Sequence, residues 1–235
     1  MPYSKRDAPN CEWCPHKKNC FYELLGTKES KKAWREIRLA NPFKRGEVVF
    51  HEGSMPPGLY VVCTGKVKVY KSSRTGQQLT TRIESPGDLL GHVALLANEG
   101  QYTGTGETLE PSVVSMIDTR TFFNFLAKYP VASFALMREL ARDVRRGENK
   151  ARDIAFKPAR GRLADTLLRM MQSHKPHALV AGIKRRDLAE MAGLTIETTV
   201  RLLKDFEERD ILQKKEKDLL IINESALRAL SGVAA

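Results

Sequence analysis

The stretch IKRRDLAEMAGLTIETTVRLLKDFEERDIL, residues 183–212, decides how the rest of the chain is read. Its first part predicts a helix from Arg186 to Ala192, with Leu188, Ala189 and Met191 as the apolar positions. Gly193 stops that helix, because glycine takes the left-handed conformation of a helix end without steric cost. Leu194 bridges the turn, Thr195 can cap a second helix, and Val200, Leu202, Leu203 and Phe206 form that helix's apolar set. Two short helices joined by a glycine turn make a helix-turn-helix. The first turn of the second helix offers Glu197, Thr198 and Thr199, and Arg201 follows Glu197 at i,i+4 on one face. Arginine can donate two hydrogen bonds to guanine and glutamate can accept from cytosine N4, so this face has the chemistry of a base reader. The plainer reading of the same spacing is an ion pair within the helix.

Working outward, ILQKKEKDLLII (211–222) reads as two apolar strands around a charged turn, a hairpin wing. Lys214, Lys215 and Lys217 near its tip, and Lys184, Arg185 and Arg186 ahead of the first helix, are placed to meet phosphates. Such contacts set affinity and salt dependence, not sequence preference. The formal net charge of +11 over 235 residues suits a nucleic-acid partner. Double-stranded DNA is therefore the expected ligand, with Thr195, Glu197, Thr198, Val200, Arg201, Lys184, Arg186 and Lys215 as the candidate contacts.

Upstream of the connector SHKPHALV (173–180), which carries His174 and His177, an amphipathic helix is predicted over 159–173. Before it, Val131 to Ile154 reads as one long helix with Phe134, Met137, Ala141, Val144, Ala151 and Ile154 in a stripe, Leu136 and Leu140 beside it. A stripe of that length points to a partner helix and hence a homodimer; the alternative is packing on its own domain. Phe122, Phe123 and Leu126 mark a helix that Pro130 ends. From Phe43 to Asp118 the texture is short apolar runs between glycines. EVVF (47–50), LYVVC (59–63), KVKVY (66–70), QLTTRI (78–83) and SVVSMI (112–117) are expected strands of an antiparallel sandwich or roll, with Val67 and Val69 on one face of KVKVY and its lysines on the other. A short helix is expected around Lys31 to Leu39. The chain divides as a cysteine-rich segment 1–28, a roll 29–128, a dimerisation helix 129–156 and a DNA-binding domain 157–235, an α+β architecture. No signal peptide or membrane span is read, so a cytoplasmic location without membrane association is expected.

Of four cysteines, Cys11, Cys14 and Cys20 crowd one short segment, and Cys63 ends the LYVVC strand. Thiolates at such spacing hold zinc or an iron–sulfur cluster. His16 could complete a Cys3His zinc site, and Cys63 reads either as a further ligand or as a small buried apolar residue. An enzyme is not indicated: there is no GxxxxGK phosphate loop, no HExxH spacing and no nucleophile–base constellation.

Taken in order, FKRGEVVFHEG (43–53), GLYVVCTGKVKVY (58–70), PGDLLGHVALL (86–96), FFNFLAKYP (122–130) and LTIETTVRLL (194–203) resemble the CRP/FNR family over about residues 35–230. That resemblance implies a β-roll of the jelly-roll, cyclic-nucleotide-binding type as sensor, a long dimer helix and a C-terminal winged helix-turn-helix. It implies a palindromic operator with TGA-type half-sites, read by Glu197 and Arg201, with Val200 at the variable position between the family's branches; RNA polymerase is a candidate partner. His92 and Tyr102 stand where the nucleotide-binding branch has a glutamate and an arginine, so cyclic-nucleotide binding is not expected. Cys11-x2-Cys14-x5-Cys20 looks like the motif of the FNR branch, which implies an oxygen-labile [4Fe-4S] cluster. The resemblance puts the fourth ligand at Ser115, a poor iron ligand; Cys63 is the preferred choice, with His16 also open. The overall expectation is a regulator sensing oxygen, nitric oxide or redox state. A structural zinc, a thiol switch or a small-molecule effector in the roll are the alternatives.

Overall fold

The computed structural model describes residues 9–97, 100–172 and 178–232, so His174 and His177 lie outside the described residues. The chain forms two compact units, Met1–Gly76 with Thr81–Gly147, and Gln77–Thr80 with Glu148–Ala235.

In the first unit, two turns of 3-10 helix (Lys17–Asn19 and Phe21–Leu25) lead into α1 (Lys28–Glu36), whose cap Thr27 accepts from the Ser30 N–H at 3.2 Å. The helix expected to reach Leu39 stops at Glu36, because Leu39–Phe43 is strand β1. Pro42 disguises that strand in the sequence. The strand lies at a sheet edge, where a missing N–H removes no ladder bond. Then come β2 (Val48–Phe50), β3 (Gly58–Thr64), β4 (Val67–Ser72), β5 (Gln78–Glu84), β6 (Leu89–Leu90), the one-turn helix α2 (His92–Leu96), β7 (Thr105–Thr108) and β8 (Ser112–Asp118). They build two four-stranded sheets, β1-β8-β3-β6 and β2-β7-β4-β5, with antiparallel pairings: a β-roll. Helices α3 (Thr119–Lys128) and α4 (Pro130–Phe156) follow, parted at Pro130 as expected.

β3 is buried on both faces, and its two-residue period sorts its side chains between two cores. Tyr60 and Val62 join Phe50, Val67, Val69 and Tyr102 inside the roll. Leu59 and Val61 join Cys11, Phe21, Tyr22, Leu25 and Trp34 with Phe122 and Phe125 of α3 and Ala132, Ala135 and Leu136 of α4. Trp34 is fully buried there, its ring 4.9 Å from Phe21 and 5.3 Å from Phe125. The N-terminal segment thus belongs to the core of its unit. In β4 the face opposite Val67 and Val69 is not open to solvent at Lys68. That lysine is 2% exposed, 3.7 Å from Glu107 and with its amino group 5.1 Å from the Tyr70 ring centroid, so a local ion pair and an aromatic ring hold the charge inside.

The second unit holds α5 (Ala159–Met170), β9 (Ala178–Val180), α6 (Arg185–Ala192), α7 (Ile196–Glu208), the hairpin β10 (Leu212–Lys215) and β11 (Asp218–Ile221), and α8 (Glu224–Ser231). The three strands form one sheet, order β10-β11-β9. α5 ends at Met170, short of residue 173, because Gln172 turns outward to pair with Leu179 across two backbone hydrogen bonds of 2.8 and 2.9 Å. Leu163, Leu167, Leu188, Leu203, Phe206 and Leu227, all fully buried, form the core. Among the described residues no helix is long and apolar enough to cross a membrane.

Charged groups of the roll and α4 meet in the first unit. Arg82 of β5 pairs with Asp143 of α4, and His92 Nε2 lies 3.1 Å from the same carboxylate. Glu84, 1% exposed, lies 3.5 Å from Arg82 and 3.2 Å from Arg146. Burial pushes its pKa up to about 8; Arg82 and Arg146 pull it down, while Asp88 and Asp143 push it up. The native state therefore binds a proton that the unfolded chain releases near 4.5, and stability falls as pH rises through the window between those values. Glu84→Gln is expected to match the wild type below that window and to exceed it above by up to about 5 kcal/mol. Thermal melts across the window check this; parallel pH profiles for the two proteins would refute it.

Candidate metal centre and nucleic-acid interface

The 11–20 segment is folded by short backbone bonds: Lys17 N–H to Cys14 O at 3.2 Å, Cys20 N–H to Lys17 O at 3.1 Å. It docks on the roll at Gly87, whose carbonyl accepts from the Phe21 N–H at 3.3 Å. Gly87 has φ +104°, and a Cβ there would stand 2.7 Å from the Cys20 Cα and 2.8 Å from the Asn19 carbonyl oxygen. Only glycine allows so close an approach.

Docking forms a partly open cavity that all four cysteines line, together with His16 and Arg38. Cys11 and Cys63 are buried, Cys14 and Cys20 partly so, and no disulfide joins them. His16 is exposed at the rim, and Trp13, between Cys11 and Cys14, is 84% exposed. Burial pushes the Cys11 thiol up and the Cys20 thiol to about 12; the charge of Arg38 pulls both partly back. A metal entering here has to displace those protons. Among the described residues no three His, Cys, Asp or Glu groups converge as the ligands of a single ion.

Cys63 stands at a register shift of β3 against β8. Ser115, fully buried on β8, does not line the cavity; its hydroxyl lies 3.1 Å from the Cys63 sulfur. Two of the three sequence candidates for a fourth ligand, Cys63 and Ser115, are thus neighbours on adjacent strands, with the sulfur in front, while His16 is at the rim. Arg38, at the corner between α1 and β1, donates to Cys63 Sγ at 3.6 Å and to Pro9 O at 3.5 Å. Sequence reading missed Arg38, since no spacing marks a single arginine between Ile37 and Leu39.

The positions where the nucleotide-binding branch keeps its ligands are filled by structure. Tyr102 is buried, stacks on Phe50 at 4.3 Å and donates to Gly58 O at 2.8 Å. His92 is buried against Asp143.

In the second unit α6 and α7 form the predicted helix-turn-helix. Gly193 closes α6 at φ +63°. The carbonyls at that end are held by cations: Lys150 donates to Met191 O, and Arg162 to Ala192 O at 3.0 Å and Gly193 O at 3.3 Å. Burial pushes Lys150 down to about 8. Thr195 caps α7, accepting from the Thr198 N–H at 3.2 Å, and the Thr198 hydroxyl accepts from Thr195 at 3.1 Å. The exposed face of α7 carries Ile196, Glu197, Val200 and Arg201. No ion pair joins Glu197 to Arg201 among the described residues, so neither charge is neutralised by the other. Backbone N–H bonding and the Thr195 hydroxyl hold Glu197 below the usual carboxylate range. Two details differ from expectation. Thr199 is fully buried and donates to Thr195 O at 2.9 Å, and Ile196, 47% exposed, shares the outer face with Val200. The i,i+4 spacing of Ile196 and Val200 is the signal that could have found it.

Of the flanking cations, Lys184 and Lys215 are exposed. Arg186 is tied to Glu190 at 2.7 Å, and Lys214 to Glu207 at 2.7 Å. On α4 two faces separate: Ala132, Ala135, Leu136 and Glu139 are buried, while Phe134, Met137, Ala141 and Val144 are exposed. The exposed set advances by three and four residues alternately, a spacing that suits helix pairing.

Comparison with known proteins gives two family matches: the cyclic nucleotide-binding domain over residues 40–129 and the Crp-like helix-turn-helix domain over 161–230. The fumarate and nitrate reduction regulatory protein of Vibrio cholerae is 26% identical over 232 residues, 97% of this chain and 92% of its own. The CRP-like cAMP-activated global transcriptional regulator of Mycobacterium tuberculosis is 31% identical over 191 residues, 79% of this chain and 84% of its own. Among solved structures, the c-di-GMP responsive global regulator CLP of Xanthomonas campestris superposes with a TM-score of 0.75 at 18% identity, over 83% of this chain and 99% of its own, which shows a shared fold.

Thr195→Ala deletes the α7 cap and is expected to cost about 1 kcal/mol, read as a lower denaturant midpoint by circular dichroism. An unchanged midpoint would mean that Thr199 and the core hold the helix start without it.

Proposed function

Because the chain belongs to the CRP/FNR family of DNA-binding transcription regulators, we propose that it is a homodimer whose affinity for a two-fold symmetric operator follows an iron–sulfur cluster on Cys11, Cys14, Cys20 and Cys63. The observation that carries this is the single cavity lined by all four cysteines. Four thiolates are the donor set that would hold a [4Fe-4S] cluster. Four ligands of one zinc ion would crowd their sulfurs to about 3.8 Å, as Zn–S bonds of 2.3 Å in a tetrahedron require. No such convergence exists among the described residues. A bound cluster supplies lability toward oxygen, nitric oxide or other oxidants.

The chain's own residues connect that site to DNA. Cys11 shares a core with Ala132, Ala135 and Leu136 of α4, so the packing of the cysteine segment biases the helix that carries the dimer seam. In the DNA complex Arg201 donates to guanine, Glu197 accepts from cytosine, and Val200 with Ile196 meets thymine methyls, which suits TGA-type half-sites. Lys184 and Lys215 meet phosphates; Arg186 adds its contact while held by Glu190.

Protein purified without oxygen is expected to contain iron and sulfide in equal amounts and to lose operator affinity in air. Cys63→Ala should empty the site as Cys11→Ala does, while Ser115→Ala keeps it. A colourless protein holding zinc would replace the cluster by a structural metal with His16 as candidate ligand. Retention of iron by Cys63→Ala would remove Cys63 from the ligand set. For the reading helix, Arg201→Ala should cost about 1–3 kcal/mol on the operator and relax one position, whereas Lys215→Ala should weaken all sequences alike and lower the salt slope by about 1. Footprinting and salt titrations separate the two; equal losses on operator and random DNA for Arg201→Ala would sink the base-reading role.

A further inference from the structure

Arg38 has an environment unlike that of the chain's other buried charges. Its side chain is 3% exposed, its Nε has no hydrogen-bond partner, and its remaining polar contacts are Cys63 Sγ and Pro9 O. Among the described residues no carboxylate pairs with it. Lys68, equally buried, has Glu107, and buried Asp165 has Lys157. A desolvated guanidinium without an anion is strongly unfavourable, so a fold that keeps one has a negative charge to set against it. The guanidinium lines the cavity of the four cysteines, and four thiolates around a [4Fe-4S] core make a net dianion.

We propose that Arg38 is the counter-cation of the group held by these thiolates and that, through the Cys63 sulfur, it sets that group's redox poise. The proposal rests on the cluster reading above. A fixed positive charge and a hydrogen bond to a ligand sulfur both favour the more negative, reduced form, so Arg38 raises the reduction potential. It also makes the metal-free protein the strained one, because there the cation stands without its anion.

The test uses the full chain, cluster-loaded and metal-free. Arg38→Met keeps an unbranched, packable side chain and removes the charge; Arg38→Lys keeps the charge. The reduction equilibrium of Arg38→Met should shift at least tenfold toward the oxidised form, 59 mV for a one-electron couple, while Arg38→Lys stays near the wild type. The melting temperature should move in opposite senses: up or unchanged in metal-free Arg38→Met, down in the loaded variant. A merely structural arginine would lower both. If Arg38→Met does not fold, Arg38→Gln, which keeps N–H donors without charge, carries the potential measurement. An unshifted potential in the uncharged variant, or a fall in melting temperature in both forms, overturns the role of Arg38. A wild type that holds zinc overturns the cluster reading instead, and the paired melts with and without zinc still decide whether Arg38 is the counter-cation.

Discussion

A strand buried on both faces has to satisfy two partners at once, and in this chain that strand is β3. Its even residues close the inside of the roll, and Leu59 and Val61 form the floor on which the N-terminal segment lies. Cys63 comes at the end of the strand, where the register against β8 shifts. The segment can lie that close only because Gly87 has no side chain. The cysteine cavity, the burial of Trp34 and the support under the start of α4 all follow from this layer being built from both sides.

The elements legible in the sequence are those whose signals are local. A glycine at the end of α6, a threonine at the start of α7 and helical spacing between them locate the helix-turn-helix within a few residues. The wing shows as two apolar runs around charged residues. What stayed hidden depends on contacts between distant parts of the chain. β1 contains Asn41 and Pro42 and is a strand only because β8 pairs with it. The burial of Lys68 depends on Glu107, one strand away. α8 has a local signal in its capping residue Asn223, but a short amphipathic run after a wing does not announce a helix on its own.

The cysteine site shows both cases. Cys11, Cys14 and Cys20 are conspicuous by spacing. The choice between Cys63 and Ser115 was ambiguous because family position favours one and chemistry the other. Side by side on β3 and β8, the serine's hydroxyl supports the sulfur, and the apparent conflict is a pair. Arg38 has no signal in the sequence, since its significance lies in having no carboxylate beside it among the described residues, and a missing partner is visible only in three dimensions.

The chain has two tryptophans, and they sit in opposite surroundings. Trp13 is bathed by solvent inside the cysteine segment, and Trp34 is sealed among phenylalanines with an indole N–H that makes no hydrogen bond. Indole emission shifts to the red in water and to the blue in an apolar cage. The fold therefore carries two optical reporters of different colour, one on the loop that bears three of the cysteines and one at the centre of the core beneath it. Loosening of the loop alone and loss of the core would leave distinct spectral signatures in the unlabelled protein.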